Sequence, residues 1–253
     1  MTLIIRKRTI QHIPILEVVS KELMNEPLPL VIYYHGWQTK KELALTAGKK
    51  IANHNIRVIL PDSMYHGVRK VEQPSLIPSF TFWSTIQYNL SEFPLIKDFY
   101  FKRNLVKDDL FGVAGFSMGG MTTSAILTHY PEVRAASILM GATDFNHFIS
   151  RTESYLKQEN KNASFEIRDL LSWTQKYDLN QMPEKIAGRP LYFWHGTEDQ
   201  KLPYQNIHQF YLDHKETDYG QNMSFDTGIN EPHILQINTM EKTGIFFAEA
   251  FDL

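Results

Sequence analysis

The chain has 253 residues, of which 43% are hydrophobic and 21% are charged, a composition typical of one folded domain and unlike that of disordered chains. The formal net charge is -2 and like charges are not clustered, which argues against nucleic acid or an anionic membrane surface as a partner. There is no cysteine, so disulfides, thiolate metal sites and a cysteine nucleophile are excluded.

The N-terminal segment has none of the features of a signal peptide, and no apolar run approaches the roughly 20 residues that span a bilayer. We therefore expect a cytoplasmic protein without a membrane partner.

Short β-branched or aromatic segments alternate with longer segments of helical periodicity, a pattern typical of a mostly parallel sheet with helices on both faces. The predicted strands are residues 3–10, 13–19, 30–34, 57–60, 110–114, 136–140, 191–194 and 223–225. The first two are expected to form an antiparallel hairpin, and the later apolar runs are expected to be buried on both faces.

The predicted helices are residues 41–54, 81–101, 119–129, 204–214 and 234–251. Pro94 is expected to kink or interrupt the second of them.

Residues 142–189 separate two predicted strands and are too long for a simple connection, so we predict a small helical cap inserted in a single domain of residues 1–253. The segment is rich in aromatic side chains. With Met64, Tyr65 and Met118, these could line an apolar pocket or merely pack between cap and sheet.

Residues 115–119 read Gly-Phe-Ser-Met-Gly, with a further glycine at 120, between a predicted strand and a predicted helix. G-x-S-x-G alone is a weak motif, but this context is typical of a nucleophile elbow, in which small flanking residues allow a sharp turn. The helix N-terminus would favour a developing oxyanion. The motif predicts Ser117 as a nucleophile.

A serine nucleophile of this kind needs a histidine base and an acid, which follow it in the order acid, then histidine. Asp199 lies in the loop after the strand at 191–194, with Glu198 as the nearest competitor. His233 lies in the last predicted strand-to-helix loop, whereas His208 and His214 fall within a predicted helix. We therefore predict Asp199 as the acid and His233 as the base.

The strand at 30–34 runs directly into His35, Gly36 and Trp37. The backbone amides of Trp37 and Met118 are the predicted oxyanion donors, because one donor follows the nucleophile and the other follows this strand. We expect the His35 side chain to brace the loop. No histidine pair has the helical spacing of a zinc site, so no metal is expected.

Together these residues resemble small bacterial α/β-hydrolase carboxylesterases related to the prolyl oligopeptidase and dienelactone hydrolase families. The residues that carry the resemblance are His35-Gly36-Trp37, Pro61-Asp62 with His66-Gly67, the Gly-Phe-Ser-Met-Gly-Gly run at 115–120, His195-Gly196 with Asp199 and Leu202-Pro203, and His233. The resemblance covers about residue 28 to the end. It implies an α/β-hydrolase fold and hydrolysis of short acyl esters without a cofactor.

The chain departs from these families in three respects. Dienelactone hydrolases use a cysteine nucleophile, prolyl oligopeptidases carry a large propeller domain, and many relatives have glycine where Pro232 precedes His233. We therefore expect a serine hydrolase whose partner is a small-molecule ester. The same machinery would serve a peptidase or amidase on short peptides, or a thioesterase. A non-catalytic binding protein on a hydrolase scaffold need not retain these residues.

Overall fold

The computed structural model describes residues 2–72, 78–158 and 167–253. Its central feature is an eight-stranded sheet. The strands are β1 (Leu3–Ile10), β2 (Ile13–Ser20), β3 (Leu28–Tyr34), β4 (Arg57–Pro61), β5 (Val106–Phe116), β6 (Ala135–Leu139), β7 (Leu191–Gly196) and β8 (Met223–Gly228). Each predicted strand overlaps one of them.

Seven α-helices occur in the described residues. They are α1 (Leu45–Ala52), α2 (Pro78–Phe101), α3 (Met118–Leu127), α4 (Phe145–Gln158), α5 (Ile167–Leu170), α6 (Tyr204–His214) and α7 (Ile237–Ala250). Short 3-10 helices cover Lys41–Ala44, Gly67–Arg69, Ser172–Tyr177 and Pro183–Ile186. Within the described residues, no helix combines the length and apolar character needed to cross a membrane.

The strand order is β1-β2-β4-β3-β5-β6-β7-β8. β1 and β2 form the predicted antiparallel hairpin, β2 pairs antiparallel with β4, and every later neighbouring pair is parallel. The carboxyl ends of β3, β5, β7 and β8 therefore meet at one edge of the sheet, which is where open α/β sheets form their sites.

Helices cover both faces of this sheet, as the alternation of side chains along β3 illustrates. Leu30, Ile32 and Tyr34 point into a core with residues of α2, α3 and α6. Val31 and Tyr33 point into a second core with residues of α1 and α7. The predicted α/β class with helices on both faces is confirmed.

Of the two outcomes predicted at Pro94, a kink or an interruption, the interruption is wrong, because α2 continues from Pro78 to Phe101 with Pro94 inside it. Proline removes one hydrogen bond to the preceding turn. Its neighbours Leu90, Phe93 and Ile96 are buried in the core. This packing holds the turn around the missing donor, so tertiary contacts override the local preference.

The segment at 142–189 contains α4, α5 and two of the 3-10 helices. Residues 159–166 of this segment, including Phe165, lie outside the described residues. Asp178 connects the later part of this segment to the start of α4. Its carboxylate accepts hydrogen bonds from the backbone amides of Phe145 and Asn146, at 3.1 and 3.3 Å. The division of the chain into one domain with a cap stays a prediction.

A buried ion pair joins the neighbouring strands β2 and β4. The side chains of Glu17 and Arg57 are both fully buried and contact each other directly. Arg57 also donates to the carbonyl oxygens of Met24 and Glu26, at 3.1 and 2.9 Å. These partners offset most of the cost of burying the two charges, although Arg57 Nε has no hydrogen-bond partner among the described residues.

We expect Arg57→Met to lower the free energy of unfolding by about 3–5 kcal/mol, because Glu17 would be left buried with only the partly exposed Arg6 and Arg8 as cationic partners among the described residues. Urea denaturation measures this difference. The control is Lys102→Met, which removes an exposed i,i+4 pair with Asp98 and should change stability by less than about 0.5 kcal/mol. Equal small effects in both variants would contradict the role of Arg57.

Candidate active site

Ser117 occupies the turn between β5 and α3 in a strained backbone conformation. β5 ends at Phe116 and α3 begins at Met118, and Ser117 between them has φ 57° and ψ -116°. A positive φ is uncommon outside glycine. The turn is held by a hydrogen bond from the Ser117 amide to the Leu139 carbonyl at 2.9 Å. This is the geometry predicted for an elbow that exposes the serine hydroxyl.

The glycines of the elbow are required by close backbone approaches. A Cβ atom added at Gly115 would collide with the backbone of Gly119. A Cβ atom added at Gly119 would collide with the carbonyl of Tyr34 at the end of β3. The turn can therefore be this tight only because both positions lack a side chain.

The structure brings the three predicted site side chains into one hydrogen-bonded series. Ser117 Oγ lies 2.8 Å from His233 Nε2, and His233 Nδ1 lies 2.6 Å from Asp199 Oδ2. Because the carboxylate can only accept, Nδ1 carries the proton and Nε2 is free to accept from the serine hydroxyl. The His233 ring also packs on Phe116, with ring centroids 5.1 Å apart.

His233 reaches this position because its loop is fastened to the loop that carries Asp199. The amide of Glu198 donates to the Glu231 carbonyl at 3.1 Å, and the amide of Asn230 donates to Thr197 Oγ1 at 2.8 Å. Glu198 itself is exposed. Of the two neighbouring acids, Asp199 is the one whose carboxylate meets His233.

Asp199 also meets a second histidine, a contact that the sequence analysis did not anticipate. His195 Nε2 lies 2.9 Å from Asp199 Oδ2 and 2.8 Å from the Leu202 carbonyl. Both neighbours are acceptors, so this nitrogen carries the proton. The only sequence signal was the four-residue spacing of His195 and Asp199 across the end of β7, which does not reveal the contact.

The environment of Asp199 favours its ionised form. Burial raises the pKa of Asp199, but the hydrogen bonds from His195, His233 and the Leu202 amide outweigh burial and hold it well below its usual range. The amides of Lys201 and Leu202 donate to the other carboxylate oxygen at 2.8 and 3.0 Å. Asp199 is therefore a fixed anion beside His233 at neutral pH.

His35 braces the loop after β3, as the sequence analysis expected. Its Nε2 accepts the amide of Ser63 at 3.1 Å, and Thr39 Oγ1 lies 3.1 Å from its Nδ1. Burial lowers the pKa of His35 to about 4, although its hydrogen bond to the Gly36 carbonyl favours the proton. The ring is thus neutral at pH 7 and serves as an internal acceptor.

The two predicted oxyanion residues both lie near Ser117, one next to it in the chain and one in the same cavity lining. Met118 is the first residue of α3, where N–H groups have no partner within the helix. Trp37 follows β3 and lines the same cavity as Ser117 and His233. The Met118 side chain itself is fully buried.

A cavity of about 630 Å³ opens above Ser117 and His233. This volume falls within the range of small-molecule sites. Its aromatic lining comprises Trp37, Phe82, Phe116 and Phe148, and its cationic lining comprises Arg151 and Lys201.

The aromatic residues of the segment at 142–189 divide between the two roles that the sequence left open. Phe148, on α4, lines the cavity, whereas Phe145 is buried in the core. Trp173 packs on Trp83, with ring centroids 6.2 Å apart. The structure does not place Met64, Tyr65 or Met118 in the lining of this cavity.

Two known proteins similar in sequence to this chain are both named as esterases. The chain is 30% identical over 210 residues to "Putative esterase YitV" of Bacillus subtilis, covering 82% of each chain. It is 27% identical over 206 residues to "Esterase YjfP" of Escherichia coli, covering 79% of this chain and 80% of the relative. Among solved structures, TT1662 from Thermus thermophilus superposes with a TM-score of 0.79 at 16% identity, over 100% of both chains.

The structural likeness, with the strand order above, confirms the predicted α/β-hydrolase fold. The model of the prolyl oligopeptidase family (Peptidase_S9) matches residues 87–251, which include Ser117, Asp199 and His233. The match spans more than half of the chain, and one relative reaches 30% identity over most of its length. The chain therefore belongs to the prolyl oligopeptidase family.

Proposed function

We propose that the protein is a serine hydrolase that cleaves small carboxylic esters through an acyl-enzyme intermediate on Ser117. The observation that carries the proposal is the hydrogen-bonded series from Ser117 through His233 to Asp199, which borders a cavity large enough for a small ester. Two relatives are named as esterases, which favours an ester substrate.

In the first step, Ser117 Oγ attacks the ester carbonyl while His233 Nε2 accepts the hydroxyl proton. Asp199 holds the other ring nitrogen and stabilises the imidazolium that forms. The backbone amides of Trp37 and Met118 donate to the oxyanion. One such donor can lower the barrier by roughly 2.7–4 kcal/mol.

In the second step, the imidazolium of His233 protonates the departing alkoxide, and the alcohol leaves the acyl group on Ser117. A water molecule then gives its proton to His233 and attacks the acyl carbonyl. Collapse of this second oxyanion releases the carboxylic acid and returns the proton to Ser117. The chemistry uses only side chains and backbone amides of this chain, so we propose no cofactor.

A peptidase on short peptides is the second candidate, because the family is named for its peptidases. Hydrolysis of 4-nitrophenyl esters from acetate to octanoate, beside an aminoacyl 4-nitroanilide, tests the choice. We expect Ser117-dependent cleavage of the esters. Preferential cleavage of the anilide would move the assignment to a peptidase.

We propose further that the chain is one domain in which residues 142–189 form a cap over the cavity, and that it acts in the cytoplasm. The first part is supported by Phe148, Arg151 and Thr152 of α4, which line the cavity together with Ser117.

Ser117→Ala should lower kcat for 4-nitrophenyl butyrate by a factor of about 10⁴ or more, because no other hydroxyl occupies the elbow. Circular dichroism and thermal unfolding should match the wild type. The control is Ser91→Ala, which removes an exposed hydroxyl on α2 and should retain activity. Undiminished turnover in Ser117→Ala would exclude Ser117 as the nucleophile.

Asp199→Asn should lower kcat by about 10⁴, because an amide cannot hold His233 in the tautomer that accepts the serine proton. The matched control is Glu198→Gln at the neighbouring exposed acid, whose side chain does not contact His233, and its kcat should stay within a factor of about three of the wild type. The reverse pattern of activities would assign the acid to Glu198 instead.

His35, in the loop after β3, should make the free energy of unfolding depend on pH. Its folded pKa of about 4 lies below the unfolded value of about 6.5, so its contribution is complete above pH 6.5 and is lost as the pH falls toward 4. The difference in unfolding free energy between wild type and His35→Gln should shrink by roughly 2–4 kcal/mol between pH 7 and pH 4.

Urea denaturation at several pH values measures this difference. His12→Gln, at an exposed turn, is the control and should give a curve parallel to that of the wild type. A His35→Gln curve that is also parallel would show that His35 has no lowered pKa.

A further inference from the structure

The cavity above Ser117 has an uneven distribution of charge. Two cationic side chains, Arg151 of α4 and Lys201 of the loop after β7, line it, and no aspartate or glutamate is among its lining residues in the described parts of the chain. This is unexpected in a protein whose formal net charge is -2. The cavity is therefore locally positive.

The two cations are brought to the same rim by a hydrogen bond. Arg151 Nη1 donates to the backbone carbonyl of Lys201 at 2.8 Å, and the Lys201 amide donates to Asp199 at 2.8 Å. This arrangement connects α4 to the loop that holds the acid of the proposed catalytic series. It places both positive groups at the cavity that Ser117 and His233 border.

Neither cation forms an ion pair with a carboxylate of the described residues. Elsewhere in the chain, comparable side chains do so: Arg168 lies 3.0 Å from Glu153, and Lys242 lies 2.7 Å from Asp226. The nearby carboxylate of Asp144 accepts the amide of His147 at the start of α4. The remaining N–H donors of Arg151 and the ammonium of Lys201 are thus available to a ligand.

We propose that the protein prefers esters that also carry an anionic group, a carboxylate or a phosphate, which Arg151 and Lys201 bind while the ester carbonyl lies at Ser117. The inference rests on the proposed function of Ser117 and adds the substrate class. Charged donors form strong hydrogen bonds with carboxylate and phosphate oxygens. Trp37, Phe82 and Phe148 line the same cavity and would contact the hydrocarbon chain between the two groups.

The size of the preference is limited because both cationic side chains are exposed to solvent. Pairs of exposed charges are weak and are screened by salt. We expect an advantage of about three- to tenfold in kcat/KM at low ionic strength, mostly through KM, because such a contact is made equally in the ground state and the transition state.

The experiment compares two substrates that differ only in charge, 4-nitrophenyl hydrogen adipate and 4-nitrophenyl methyl adipate. A third substrate, 4-nitrophenyl 6-(phosphonooxy)hexanoate, distinguishes phosphate from carboxylate as the preferred anion. The ratio of kcat/KM for anionic over neutral ester is measured from about 0.02 M to about 0.5 M KCl, with Ser117→Ala as the background.

Four variants test the residues. Arg151→Gln and Lys201→Gln should each reduce the ratio, and Lys201→Glu should bring it below one. Arg151→Lys keeps the positive charge and should retain most of the preference. This variant distinguishes the effect of the charge from that of the hydrogen bond between Arg151 and the Lys201 carbonyl. The matched control is Lys102→Gln, which removes the same charge from an exposed residue outside the cavity and should leave the ratio unchanged.

A ratio near one for both anionic substrates, with Ser117-dependent hydrolysis of the neutral ester, would overturn this inference and leave the proposed function intact. A preference that neither salt nor the Arg151 and Lys201 variants change would overturn it as well. If the wild type hydrolyses none of the esters, the proposed function fails first. A salt-sensitive ratio that falls in the glutamine variants and not in Lys102→Gln supports the inference.

Discussion

Ser117 adopts a backbone conformation that non-glycine residues rarely adopt. The packing of the central strands β3 and β5 against α3 holds the residue in this conformation. A residue in such a region is strained by about 1–3 kcal/mol, and the strain persists only if the surroundings overdetermine the geometry. Here three backbone segments approach one another closely: the end of β5, the start of α3 and the end of β3. No side chain would fit at Gly115 or Gly119. The close packing of the backbone around Ser117 thus holds its side chain at the cavity.

The rest of the site depends on the parallel arrangement of the strands around that turn. The loops after β3, β5, β7 and β8 emerge at the same edge, so side chains far apart in sequence meet there. Hydrogen bonds between the loop that carries Asp199 and the loop that carries His233 hold these two side chains within contact distance. Two imidazoles and two amides surround Asp199, so among the described residues this buried anion is stabilised without a lysine or arginine partner.

The segment between β6 and β7 contributes residues to the wall of the cavity rather than to the hydrogen-bonded series of Ser117, His233 and Asp199. The residues of the proposed catalytic series lie at the sheet edge, whereas α4 provides Phe148 and Arg151 to the cavity wall. Under the proposed function, changes in this segment would alter the substrate and leave the reaction unchanged, because function depends on the residues of the site rather than on the fold. Arg151 and Lys201, which form no ion pair with a carboxylate in the described part of the chain, are the two cationic residues of this wall.

The sequence by itself determined the α/β class, the position of each strand and the elbow at Ser117, because buried parallel strands are short apolar runs and a tight strand-to-helix turn requires glycine at known positions. Chain order also predicted Asp199 as the acid, with Glu198 as its nearest competitor, and His233 as the base. Only the tertiary structure decided which acid faces His233, that His195 shares Asp199, that α2 continues through Pro94, and that Arg151 meets Lys201. Each of these depends on how separate elements pack against one another, which local patterns of residues do not encode.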